Sequence, residues 1–112
     1  MARYLISFDD GAMDFPEADL PAVGAAARAV VAEASDAGVW VFSAGVLPPE
    51  GMSVVAVDGT VTDGPPADKA YVGGFAVVET ATRDEALGWA ARIARACRCA
   101  QEVRELVPDP GE

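Results

Sequence analysis

Histidine is missing from all 112 residues of this chain. Its absence removes the side chain best suited to move protons near neutral pH. Ser-His and Cys-His nucleophile pairs go with it, as does the commonest metal ligand. Positive charge is also scarce. Eight basic residues, only one of them a lysine (Lys69), face 18 acidic ones, for a net charge of −10. Nucleic-acid affinity is largely phosphate neutralisation, so neither a nucleic-acid partner nor an anionic membrane is expected. Cysteine occurs twice, as Cys97 and Cys99 in "ACRCA". A C-x-C pair without histidine cannot close a tetrahedral zinc site within one chain. A redox pair is expected as C-x-x-C at a helix start, whereas this pair falls at a helix end. The cysteines therefore read as small residues at a helix-to-strand junction, and no metal and no cofactor is expected. No apolar run approaches the roughly 20 residues that span a bilayer. The opening "MARYLISFDD" turns acidic without a long apolar stretch, so a signal peptide is not expected and a cytoplasmic location is. Rich use of Ala, Val, Arg and Gly with almost no Lys hints at a GC-rich bacterial genome.

What is present is mostly apolar: 52% of the residues are hydrophobic. The length fits one domain, and a chain of this size can bury a core without staples. Residues 1–107 read as that domain and 108–112 as a C-terminal tail. "RYLISF" is β-prone. After an acidic loop broken by Gly11 and Pro16, Asp19 is placed as an N-cap with Pro21 in the first helical turn. Leu20, Val23, Ala27, Val30, Val31 and Ala34 recur at helical spacing, and Gly38 stands where a helix-ending glycine belongs. "VWVFSAGV" reads as a second strand. Asp58-Gly59, between two short apolar runs, signals a hairpin. "FAVVE" is a strand, and Thr82 with Glu85 forms a capping box for a second helix. Arg92, Arg95 and Arg98 complement the dipole at that helix's C-terminal end. "AQEVRELV" closes as a strand.

The order β-α-β, hairpin, β-α-β is the ferredoxin-like βαββαβ pattern with an added hairpin, an α+β class. Two helices cover one face of a sheet. Tyr4, Ile6 and Phe8 nonetheless alternate with Leu5, and Trp40 and Phe42 alternate with Val39 and Val41. Both faces look apolar, so a two-fold homodimer is expected, with Trp40, Phe42 and the aromatic side of the first strand at or near its interface.

Residues 39–94 carry a recognisable series: an Ala44-Gly45 loop running to Pro48-Pro49, a hairpin, "VTDG", an acidic and lysine-bearing segment, "GGF" with an apolar strand, and a helix containing "DEALGWA". In this combination the chain resembles the YCII-related family, in its DGPF-domain branch, with Pro66 where that motif has phenylalanine. The resemblance implies a dimeric α+β barrel of ferredoxin-like fold. Some YCII-like relatives are metal-free lyases or dehalogenases, and a histidine–aspartate pair has been proposed as catalytic among them. Without histidine that pair does not carry over, although Asp36 falls in the helix-end region corresponding to its acidic member.

Several residues have both a structural and a functional reading. Asp63-Gly64-Pro65 is first a turn. Gly73-Gly74 marks a bulge or a close backbone approach, because it lacks the G-x-G-x-x-G spacing and following helix of a phosphate loop. Lys69, beside Asp68, is a solvated loop pair or an anchor for an acidic ligand. Ser7 and Ser43 are packed hydroxyls or cavity-lining groups. Arg3 is a strand-end charge or a second anchor. Asp9, Asp10, Asp14 and Glu17 lack EF-hand spacing. The ligand-pocket candidates are thus Asp63, Lys69, Ser43, Ser7 and Arg3, with no assignable catalytic residue. Two functions compete, a dimeric small-molecule binding or regulatory module and a cofactor-independent lyase or isomerase acting on a small metabolite that could be anionic, with a structural partner protein as a third option.

Overall fold

The computed structural model describes residues 1–108, so most of the expected tail (109–112) lies outside the described residues. Six strands and two α-helices follow in the order β1 (Ala2–Asp9), α1 (Leu20–Asp36), β2 (Trp40–Gly45), β3 (Ser53–Val55), β4 (Val61–Asp63), β5 (Val72–Thr80), α2 (Arg83–Cys97) and β6 (Glu102–Glu105). Four strands form an antiparallel sheet in the order β2-β5-β1-β6, while β3 and β4 pair only with each other. This is the ferredoxin-like order, with the two central strands contributed by the two β-α-β halves and a separate hairpin inserted between β2 and β5.

Both helices lie on one face of the sheet. Alternation along β1 turns Tyr4 and Ile6 toward them, where they are buried with Ala76 and Val78 of β5. From α2, Ala86, Ala90, Ile93 and Cys97 complete this core. Thr82 caps α2 as its sequence suggests, accepting from the Glu85 N–H at 3.2 Å. Asp19 occupies the N-cap position of α1 but makes no side-chain cap bond. Its carboxylate instead accepts from Arg98 Nη1 at 2.7 Å. Arg98 ends α2 in a left-handed conformation (φ 58°), so it reaches across to the other helix as well as standing near its own C-terminus.

Two bulges shape the sheet. The β1–β5 register runs regularly to Phe8↔Gly74 and then shifts to Asp9↔Val72, leaving Gly73 extra. A Cβ on Gly73 would lie 2.8 Å from the Asp10 Cα, and one on Gly74 would lie 2.5 Å from the Phe8 ring. At Gly73, where the obstacle is backbone, only glycine allows this approach. In β2 the register shifts between Trp40 and Phe42, so Val41 is the extra residue. This corrects the expectation that Trp40 and Phe42 share a face. Trp40 pairs with Val78 and packs against the core under the helices. Phe42 pairs with Val77 and turns to the opposite face, 6.0 Å from the Phe75 ring.

Among the described residues, that opposite face has no covering layer. It carries Leu5, Ser7, Phe42, Phe75 and Val77, with an Arg3–Glu79 ion pair of 3.0 Å at one end. The β3–β4 hairpin also stands apart: its strands pack substantially against no other strand or helix, and Val55, Val57 and Val61 are well exposed. Among the described residues, no helix is long and apolar enough to cross a membrane.

Candidate functional site

Small side chains leave a gap between the sheet and the helices. β2 and β5 contribute the small residues Ser43, Ala44, Gly45, Gly74 and Ala76 to its floor, beside Phe75. α1 adds Ala27, Val30 and Val31 to the wall, and α2 adds Ile93, Ala96 and Cys97. Phe8, Met13, Trp40 and Gln101 close the ends. The resulting cavity is about 270 Å³. Ligand sites are commonly concave, mostly apolar and furnished with a few polar groups, and this one fits that description near the lower end of size.

Its polar atoms are few. The Ser43 hydroxyl lies on an exposed part of the edge strand and has no hydrogen-bond partner among the described residues. Gln101 donates through Nε2 to the Cys99 carbonyl (3.4 Å) and toward the Cys99 sulfur (3.5 Å), which leaves its own carbonyl oxygen as an acceptor. Among the described residues, Cys97 is the one ionisable group in the lining. Burial, and next the neighbouring Cys99, push the Cys97 thiol above its ordinary pKa. Burial also raises the Cys99 pKa, opposed by the Gln101 hydrogen bond. Both sulfurs are therefore held as neutral thiols at pH 7, the opposite of an activated thiolate.

The five residues singled out from the sequence fall in three places. Ser43 lines the cavity. Ser7 and Arg3 sit on the uncovered sheet face, Ser7 buried between neighbouring strands and Arg3 paired with Glu79. Asp63 and Lys69 belong to the hairpin and the loop after it. Asp63 Oδ1 accepts from Ser53 Oγ at 2.6 Å across the β3–β4 ladder, and Gly64 N–H closes the hairpin on the Met52 carbonyl at 2.8 Å. Lys69 Nζ lies 5.6 Å from the Tyr71 ring centroid, and the Tyr71 hydroxyl donates to the Pro66 carbonyl at 2.6 Å. The stretch from Asp63 to Tyr71 thus ties itself together. Asp36, at the end of α1, is exposed and does not line the cavity. Among the described residues no group of three or more His, Cys, Asp or Glu side chains could hold a metal ion.

Sequence reasoning missed the cavity itself. Its signal was volume: "GAAARAVVAEA" in α1 presents alanines where a packed layer needs larger side chains, opposite strands that carry Gly45, Gly74 and Ala76. Periodicity marked Ala27, Val30 and Val31 as one face of the helix, but not as an underfilled one.

A single sheet in the order β2-β5-β1-β6 under two helices, with an apolar cavity between the layers, defines a ferredoxin-like α+β protein. The sequence profile of the YCII-related domain matches residues 4–108, and the chain belongs to that family. No curated protein matches the chain.

Proposed function

We propose that this chain is a small-molecule binding or regulatory module of a bacterial cytoplasm. In this reading it belongs to the DGPF branch of its family and works as a homodimer joined through the uncovered sheet face. The cavity between sheet and helices is its ligand site. One observation carries the reading: a partly open apolar space of about 270 Å³ whose lining, among the described residues, includes few polar groups and no carboxylate, lysine or arginine. The competing lyase or isomerase reading requires a proton-transfer group at the reacting atom. Among the described residues the only ionisable lining group is Cys97, held as a neutral thiol by burial. Binding is the chemistry these residues support.

A fragment screen followed by amide chemical shifts of the labelled protein tests this. Bound fragments are expected to move residues of the cavity floor and of α2, and to lose affinity in Ala27→Phe, which fills the space from α1. Circular dichroism checks that the variant folds. Fragments that move only residues 61–71 would return the ligand site to Asp63 and Lys69 and sink this assignment.

A further inference from the structure

The cavity is uncharged as well as apolar, and that restricts what it can hold. Moving an ionised carboxylate or phosphate from water into an apolar space is strongly unfavourable unless a cation or several donors meet it. No lysine, arginine or histidine lines this space. Lys69 is engaged with the Tyr71 ring, and Arg98 with Asp19. The net charge of −10 opposes the approach of anions as well.

The shape adds a second restriction. The strands line it with the small residues Ser43, Ala44, Gly45, Gly74 and Ala76, and Phe8, Trp40 and Phe75 line it as well, a setting of small side chains and aromatic residues that suits a flat ligand. An apolar cavity of roughly 150 Å³ accepts benzene, so the space here, about 270 Å³, has room for a larger ring system. The unpartnered Ser43 hydroxyl and the free Gln101 oxygen offer hydrogen bonds to one polar substituent.

We infer that the ligand is a neutral, flat molecule about the size of two fused aromatic rings, bearing a hydroxyl or similar donor, and that the cavity rejects anionic metabolites of the same shape. This rests on the cavity being the ligand site, as proposed above.

The probes are 2-naphthol and 2-naphthoate, which share a ring system but differ in charge at pH 7, where a phenol is neutral and a carboxylate ionised. Each is titrated into the labelled full-length protein and followed by amide shifts. The naphthol is expected to move Gly45, Gly74, Ala96 and Cys97 and to bind at least about tenfold more tightly than the naphthoate. Ser43→Ala or Gln101→Leu is expected to weaken the naphthol by about 3- to 10-fold, the loss of one hydrogen bond. If both probes move the cavity residues with equal affinity, or the naphthoate binds more tightly, charge exclusion is overturned while the cavity stands as the site. A naphthol that binds in the cavity but is unaffected by either substitution overturns the assigned polar contact. If neither probe moves those residues at millimolar concentration, the ligand class and the cavity reading fall together.

Discussion

At Gly73 and Gly74 a single added methyl group distinguishes two kinds of obstacle. A Cβ on Gly73 meets the Asp10 backbone at 2.8 and 2.9 Å, whereas a Cβ on Gly74 meets the outer edge of the Phe8 ring at 2.5 Å. The Asp10 backbone directly follows a central strand and is tied by its N–H to the Tyr71 carbonyl at 2.7 Å, so it has little freedom to retreat, but a ring at the end of a side chain can rotate into the adjoining cavity. Gly73→Ala is therefore expected to cost about 1–3 kcal/mol, as other overpacked sites do, and Gly74→Ala less, with a smaller cavity as its consequence; urea unfolding compares the two. Equal costs would show that Phe8 is as immobile as the backbone. The doublet was legible as a bulge because "GG" entering an apolar strand has few other uses. Its partner Phe8 was not, because register is set by the whole ladder. Cys97 has a pH signature. Its folded pKa is raised by burial, so the unfolded chain loses that proton first. Stability from this source is intact below the unfolded thiol pKa of about 8.5 and declines as pH rises through the folded value. Cys97→Ala should flatten the fall in melting temperature that begins near that pH. An unchanged alkaline slope would assign the fall to other groups, such as Tyr4, whose pKa burial also raises, with Glu105 adding to it.

At the scale of elements, strands and helices were legible where periodicity and caps agreed, as in α2 with its Thr82 cap. The departures arose where a side chain had two possible partners. Asp19 was read as a local cap, but Arg98, 79 positions away, takes its carboxylate. No local pattern reveals a contact of that separation. The hairpin is the contrary case, fully written in short-range chemistry. Asp58 Oδ1 accepts from the Thr60 N–H at 2.9 Å, and this bond, followed by the Thr60 side-chain hydroxyl, holds the Asp58 carboxyl below its usual pKa, while Gly59 takes φ +89°. Such a turn is specified locally, which is consistent with strands that pack substantially against no other strand or helix. Gly59→Ala forces a side chain into the left-handed region, at a cost of about 1–2 kcal/mol. Because the hairpin is not packed on the domain, that cost should appear as faster amide exchange at Ala56 and Thr60 with little change in the global unfolding midpoint. A matching drop in the midpoint would mean that the hairpin and the four-stranded sheet unfold as one unit.

For the whole molecule, the uncovered sheet face is the feature with the largest consequence, and it was legible only in outline. Strands apolar on both sides beside two helices implied that something must cover the second face. Which residues lie there depends on the bulge at Val41, which no residue pattern announced: it keeps Trp40 under the helices and turns Phe42 outward. Tyr4 and Ile6 likewise belong to the covered side, so the expected aromatic interface reduces to Phe42 and Phe75 with Leu5 and Val77. The molecule is only 19 Å across its shortest axis, about one sheet and one helix layer. Two copies meeting through this face would bury those four side chains, and fully burying one such apolar side chain is worth roughly 1.5–3 kcal/mol. Against that stands repulsion between two chains of charge −10, which salt screens over roughly 10 Å or less at physiological ionic strength. The dimer is therefore expected to tighten as salt rises, the reverse of an interface built on ion pairs. Phe42 is 57% exposed on an edge strand, so Phe42→Glu should leave the protomer folded while weakening association at least tenfold, about 1.4 kcal/mol. Sedimentation velocity at two salt concentrations, on the wild type and this variant, measures both effects. A wild type that sediments as a monomer at high micromolar concentration, or a variant that dimerises as well as the wild type, would show that this face is not the interface.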